Sequence, residues 1–478
     1  MNRDPALPAA GSRVLVHGLG RFGGGREATR HLVRRGCKVT VCDGNNGDEL
    51  RAVQQTFGKA DIDWQLGRED LALLDGIDLV VTSPAVPDHN PLRQEALRRG
   101  IPCTQECELF LAAYPGRVIG ITGTNGKSST TTLLHRALHT AGIDSLLGGN
   151  IGHSLLADEA EWRLEQVAIL EMSSFQLERL HEDRRLHGAV FTRIGSDHLD
   201  RHKTLENYQA AKARLAAAAT EFVVHAADDP IANAFATNAN KRGCFATDVP
   251  GPDSAGLQHD YLCVRDGDAA TKTILHRSAL RLIGDFQLEN VLGASLAATW
   301  LGAPNHQIGL AMATAAPLPY RLQLLTTLHG VQIYDNAVST EVESTRRALA
   351  AVSAMPQRVH WLGGGKSKDG DHGRVARAIA EHATSAHVFG AAAGPFAEQC
   401  SVPTTSHETL KEALAAALET ARPGDAVLFS PAFASFDQYP NFRARAIEFH
   451  SLLRDHRAAP AQASDRTVSD RAANTNHS

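Results

Sequence analysis

Strand-like runs alternating with helical stretches predict an α/β fold with mostly parallel sheets, built as three successive units. Three observations lead there. RVLVHGLGRFGGG, EATRHLVRRG and CKVTVCD read as strand, glycine turn, helix and second strand, the last ending in Asp43. RVIGITGTNGKSSTTTLLHRAL repeats the strand–turn–helix order from residue 117. Towards the C-terminus VQIYD, RVHWLGGG, SAHVFG and AVLFSPA each open a further strand–helix unit. Only 5% of residues are aromatic, against 40 glycines, which suits this class better than a β-sandwich.

Taken in order, the first unit closes with the buried-strand pattern IDLVVTSPAVP and a break near Pro115-Gly116, giving a domain over 1–115. The second runs over 116–316. Its further strands are VAILEMSS, AVFTRI and EFVVHAADD, interleaved with helical NYQAAKARLAAAA and ending in the long helix FQLENVLGASLAATWLG. The Pro-rich stretch APLPYR marks the next boundary, and the third unit takes 317–456. From Arg457 the chain has no hydrophobic period, and 457–478 reads as a disordered tail. A length of 478 residues fits three domains of ordinary size.

Composition excludes several function classes. Lys plus Arg number 48 and Asp plus Glu 53, a formal charge of −5, so the chain is neither a nucleic-acid-coating nor a polybasic membrane protein. No apolar run approaches the ~18 residues of a membrane span. The opening MNRDPALPAAGSR lacks a signal core, and the seven cysteines contain no CxxC pair. A cytoplasmic protein with reduced thiols is expected.

Two glycine-rich turns carry the chemistry. Gly18, Gly20 and Gly23 follow G-x-G-x-x-G after a strand, and Asp43 ends the next strand, where it could accept from a ribose or a base N–H. A nicotinamide cofactor and another nucleotide both remain open at this point. The second turn, Thr122–Ser129, places Gly123, Thr124, Asn125, Gly126, Lys127, Ser128 and Ser129 between strand and helix. Small residues let the backbone close on phosphate oxygens, Lys127 adds a charge there, and the Ser128 hydroxyl can hold Mg²⁺. Ile121 stands where the general phosphate-loop pattern has glycine.

That departure, TGTNGKS, resembles the Mur ligase superfamily of ATP-dependent amide-forming enzymes. Further matches follow in order: QECELF (105–110), GNIG (149–152), LEMSSFQLE (170–178), SDHLDRH (196–202), YQAAKARL (208–215), PYR (319–321), DNAVST (335–340) and SPAFASFDQYPNF (430–442). The EMSSFQLE and SPAxAS blocks resemble the glutamate-adding, MurD type. The resemblance implies a Rossmann-like N-terminal domain, a central phosphate-loop ATPase domain and a C-terminal Rossmann-like domain that takes the amino acid. It implies ATP, two Mg²⁺ sites, UDP-N-acetylmuramoyl-L-alanine and glutamate as ligands, and a monomer.

The implied reaction activates a carboxylate as an acyl phosphate, so fixed cations and metal must answer charge on phosphoryl oxygens. The resemblance assigns catalysis to Lys127, Glu171, His198 and Lys212, with Ser128, Glu171, His198 and Lys212 on metal and Lys212 carbamylated. Lys212 by itself reads as a helix-surface lysine. Asn290, Arg321 and Asp335 resemble ATP contacts, although Phe286 and Gln287 replace the usual His and Asn before Asn290. Gly20, Asp43 and Ser83 resemble contacts to UDP, which turns the first glycine loop away from nicotinamide. Asn150, Ser173 and Gln176 resemble contacts to the muramoyl-alanine portion, and Thr340, Lys366, Ser435 and Phe442 contacts to glutamate, with Lys368 competing with Lys366.

The third unit departs from D-glutamate relatives at Asn336, Ala337 and Phe433. Together with the GRFGGGRE loop, those departures resemble a branch that adds L-glutamate and depends on a separate epimerase. L-glutamate is therefore the expected acceptor and D-glutamate the alternative. A folate-polyglutamate ligase is a more distant reading. A two-nucleotide oxidoreductase is another, but hydride transfer has no use for Glu171, His198 and Lys212 beside a phosphate loop.

Overall fold

The computed structural model describes residues 7–458 apart from 20–22, 356, 369 and 371. It divides into two compact units, Met1–Pro317 and Leu318–Ser478. The tail read over 457–478 begins inside the helix Phe442–Ala458, and its remainder lies outside the described residues.

The first unit holds two sheets. In one, five parallel strands stand in the order Ile62–Leu66, Lys38–Asp43, Arg13–His17, Leu79–Thr82, Cys103–Thr104. Strand alternation sends Val14, Val16, Val39 and Val41 to one face and Leu15, Cys42 and Val80 to the other, so both faces are covered. Burial raises the Cys42 thiol to about 12, and all seven cysteines are unpaired.

The second sheet has nine strands, and in it Arg117–Thr122 pairs in parallel with Val167–Glu171 on one side and Leu186–Phe191 on the other. Beyond Lys241–Phe245 it ends in an antiparallel extension, Ser254–Gln258, Tyr261–Arg265 and Lys272–His276, which the reading of mostly parallel strands had not singled out. The helices Lys127–Thr140 and Asp285–Trp300 cover one face through Leu134, Ala137, Val291 and Ala294. On the other face a single apolar core runs from Val14 and Val16 of the five-stranded sheet to Leu170 and Phe191 of this one.

The second unit is a six-stranded sheet in the order Gln323–Leu328, Val331–Asp335, Ala426–Ala432, Val359–Gly364, Ser385–Phe389, Thr404–His407. Only its first pair is antiparallel. Among the described residues no helix is long and apolar enough to cross a membrane.

Candidate active site

Strand Arg117–Thr122 delivers the chain into a tight loop, and helix Lys127–Thr140 leaves it. Gly123 (φ 154°) and Gly126 (φ 86°) occupy backbone conformations that side chains resist. A Cβ at Gly123 would run into the Thr192 hydroxyl, and one at Gly126 into the Asn290 amide oxygen. The loop is therefore cradled by two neighbours, and small residues are obligatory. Lys127 Nζ lies back across it, donating to the carbonyls of Gly123 (2.9 Å) and Thr124 (2.8 Å). Thr124 Oγ1 meets the Tyr208 hydroxyl at 2.9 Å and accepts from Gly195 N–H. Thr192 Oγ1 donates to the Asn125 carbonyl, Thr122 Oγ1 donates to Met172 O, and Ser128 and Ser129 are buried. Asn290 accepts from Thr130 and donates to Gln287, so Gln287 takes part in the contact helix.

Around this loop the structure gathers most of the predicted catalytic set. Glu171 stands opposite Ile121 in the strand register and is 2% exposed. One of its oxygens accepts from Asn150 Nδ2 at 3.0 Å, whereas Oε2 is buried with no hydrogen-bond donor. A buried carboxylate oxygen without a donor is costly and is well suited to a cation.

Lys212 departs from the sequence reading. It is 1% exposed rather than on the helix surface, and its Nζ donates to Gly123 O (2.9 Å) and Thr122 Oγ1 (3.3 Å) over the Tyr208 ring. Burial, and then the Lys127 ammonium, push its amine well below the usual lysine range, against the pull of Asp197 and Glu171. Asp197, which sequence reasoning passed over beside His198, thus belongs to the same charge cluster. His198 itself is exposed, with a left-handed backbone (φ 54°) and its ring against Phe175 at 4.8 Å. Among the described residues no three His, Cys, Asp or Glu side chains converge as a metal cage.

The predicted substrate residues of the first unit separate into two groups. Gly20 lies outside the described residues. Asp43 and Ser83 flank the turn after His17, but the Asp43 carboxylate already accepts from Leu19 N–H and Asn45 N–H. Ser173 and Gln176 form a reciprocal helix cap, Gln176 N–H donating to Ser173 Oγ and Ser173 N–H to Gln176 Oε1, so their first role is local. Three arginines grip the segment after Ser83. Arg179 donates to Ser83 O, Val86 O and Asp88, Arg201 donates to Pro84 O while lying over Phe175, and Arg93 pairs with Asp88.

In the second unit Asp335 is fully buried and engaged with Ala337 N–H (2.8 Å) and His450 Nε2 (2.7 Å). These bonds tie it to its own turn and to helix Phe442–Ala458. Arg321 and Thr340 are half-buried, and Lys366 and Lys368 are exposed. Backbone pairing of Lys366 with Ala434 sets Lys366 beside the buried Ser435, and Phe442 meets Tyr320 edge-on at 6.3 Å. The three departures that suggested L-glutamate all turn inward. Phe433 is 2% exposed against Phe396 and His372, Asn336 donates to Ser430 Oγ, and Ala337 is fully buried.

Residues 121–298 match the Mur ligase middle domain and 320–433 the Mur ligase glutamate ligase domain. A UDP-N-acetylmuramoylalanine–D-glutamate ligase of Solibacter usitatus is 35% identical over 447 residues, 93% of this chain and 98% of that one. The chain belongs to the Mur ligase family. It is thus an amide-forming ligase of that ATP-dependent family, as the motifs implied. A ligase of the same description from Symbiobacterium thermophilum is 34% identical over 89% of this chain and 94% of its own. Among solved structures, the Thermotoga maritima UDP-N-acetylmuramate–alanine ligase superposes with a TM-score of 0.59 at 16% identity, covering 93% of this chain and 99% of its own. The MurF ligase of that organism in complex with ADP gives 0.58 at 16% identity over 94% and 96%. These two share the fold.

Proposed function

We propose that this Mur ligase joins glutamate to UDP-N-acetylmuramoyl-L-alanine at the expense of ATP, with Mg²⁺, acting as a cytoplasmic monomer of three domains with breaks near 115 and 317. The observation that carries the proposal is the charge cluster on the phosphate loop: Lys127 across it, the donor-free oxygen of Glu171 beside it, and Lys212 buried beneath it. The near full-length relatives named for this reaction support the same reading.

The residues fit the nucleotide and the metal. The loop amides of 123–129 and the Lys127 ammonium would hold the β- and γ-phosphates, and Glu171 with the Ser128 hydroxyl would hold Mg²⁺, which commonly keeps several waters and needs few protein ligands. Bound Mg²⁺ supplies neutralisation of the phosphoryl oxygens as the substrate carboxylate becomes an acyl phosphate. Lys127 does part of the same work from the protein side. Asn150 fixes the orientation of Glu171. Lys212, its amine pushed well below the usual lysine range by burial and by Lys127, would react with CO₂ as its free base: the nitrogen forms the C–N bond, one proton leaves, and the resulting carbamate would reverse the repulsion with Lys127. His198 serves as a second metal ligand in this reading.

The relatives' names favour D-glutamate over the L-glutamate expected from the third-unit motifs. Those motif changes are accounted for by internal packing, so D-glutamate is the acceptor proposed here. Release of phosphate from ATP, Mg²⁺ and UDP-N-acetylmuramoyl-L-alanine is compared with D- and L-glutamate at equal concentration. Faster turnover with L-glutamate would reinstate the branch that depends on a separate epimerase. No turnover with either would refute the substrate assignment.

A further inference from the structure

Arg445 is the unusual charge of the second unit. It sits on helix Phe442–Ala458 with 0% exposure. Its Nη1 donates to Gly364 O (2.9 Å) and Phe433 O (3.1 Å), its Nη2 donates to Phe433 O (3.1 Å), and its Nε has no acceptor. Among the described residues no carboxylate is hydrogen-bonded to it; Asp437 and Tyr439 act on it from a distance. Burial lowers its guanidinium to about 10, which still leaves it charged at neutral pH. A tie between two loops needs only neutral donors, and a buried cation without a paired anion is a poor way to gain stability. The charge therefore calls for a reason beyond the tie.

The two acceptor carbonyls belong to the turns that matter for the amino acid. Gly364 is two residues before Lys366, and Phe433 is two residues before Ser435. The turns are paired by Lys366 N–H to Ala434 O (2.8 Å) and Ala434 N–H to Lys366 O (3.1 Å). Packing is close enough that a Cβ on Gly365 would stand 3.0 Å from Arg445 Nη1. Asp437, two residues past Ser435, has one oxygen on the Ala391 N–H (3.0 Å) and the other buried without a donor. Of the groups whose negative charge acts on Arg445, Asp437 acts most strongly.

We propose that Arg445 is a specificity-determining positioning residue, its buried charge beneath the paired turns of Lys366 and Ser435 selecting an acidic side chain in the incoming amino acid. This rests on the glutamate-ligase reading. Asp437 sets the strength of the selection by opposing Arg445. At an effective dielectric of ~20, one fixed charge some ~8–10 Å from a carboxylate changes its affinity by roughly 10- to 30-fold.

The experiment compares kcat/KM for glutamate and for glutamine, the neutral near-isostere, in the full chain. Arg445→Gln is expected to lower the glutamate-to-glutamine ratio about 10-fold or more while leaving the KM for the UDP substrate unchanged. Arg445→Lys keeps the charge and is expected to keep the ratio, even where both rates fall. Asp437→Asn is expected to raise the ratio. A purely structural role would depress both amino acids together. An unchanged ratio in folded Arg445→Gln, or no rise in Asp437→Asn, overturns the inference. Should Arg445→Gln fail to fold, Asp437→Asn decides alone. Wild-type protein that ligates no glutamate refutes the functional reading and this inference with it, whereas wild-type turnover with unmoved variant ratios refutes only the inference.

Discussion

Acid should weaken the second unit through His387. This ring is 1% exposed and lies in a row of polar side chains that starts at Asp425, just before strand Ala426–Ala432, and crosses three strands. Asp425 meets His360 Nε2 at 3.1 Å, and His360 Nδ1 meets Ser385 Oγ at 2.8 Å. Ser385 Oγ meets His387 Nε2 at 3.0 Å, and His387 Nδ1 meets Thr405 Oγ1 at 2.9 Å, which His407 reaches at 2.8 Å. Burial first, then the neighbouring His360 and His407, lower His387 from 6.5 to about 4. The unfolded chain thus takes up this proton near pH 6.5 and the folded chain only near pH 4. The stabilisation is fully present above 6.5 and is lost as pH falls through this window. A shift of about 2.5 pH units corresponds to ~3 kcal/mol, a large part of the ~5–15 kcal/mol that holds a domain together. Urea unfolding between pH 7.5 and 4.5 measures it, read by Trp361, which is fully buried in the adjacent strand, with Trp64, Trp162 and Trp300 replaced by Phe. His387→Gln, which can still donate and accept between the two hydroxyls, should flatten the acid slope by up to one proton. Parallel slopes in the two proteins would refute the assignment.

The remaining predictions concern the first unit. Lys212→Met should abolish ligation, read as phosphate release, yet keep or raise the thermal midpoint, because it replaces a desolvated amine with an apolar chain of similar length. Gly126→Ala should raise the KM for ATP by 10-fold or more on the scale of the ~1–3 kcal/mol strain of a left-handed residue, aggravated by the Asn290 oxygen; unchanged nucleotide kinetics would show that the loop relaxes freely. Glu108→Gln should cost ~1–3 kcal/mol in urea unfolding, since it removes the charge from a buried acceptor of the Arg184 Nε–H; an unchanged midpoint would show that this charge-assisted bond adds nothing to stability.

The phosphate loop was legible because its requirements are local. A strand, small residues at two left-handed positions and a lysine at the helix start leave a signature within eight residues. Lys212 was not legible as a buried group. Its helix, LENYQAAKARLAAA, has alanines on every side, so no apolar stripe marks which face turns inward. The acceptor that holds it, Gly123 O, is 89 positions away. The Ser173–Gln176 cap did carry a signal, because Ser-x-x-Gln at a helix start is a capping box before it is a ligand contact. The antiparallel extension likewise had one: SAGLQ, YLCVR and KTILH are short runs separated by HD and DGDAA turn residues.

A departure from a family motif has two physical readings, and burial decides between them. A residue that changes what a ligand meets must keep atoms available to it; one that changes the packing beneath need not. Phe433 is of the second kind. Its ring is spent on Phe396 and His372, and its carbonyl on two N–H groups of Arg445. Asn336 spends its amide on Ser430, and Ser430 in turn donates to Thr345, so this change also belongs to an interior network. Such substitutions move in concert because filling one interior volume displaces its neighbours. They can therefore accumulate within a lineage without altering the handedness of the amino acid accepted. The exposed Lys366 is where a change would meet the ligand directly, and the buried charges of Arg445 and Asp437 are where a change would act on it only through space.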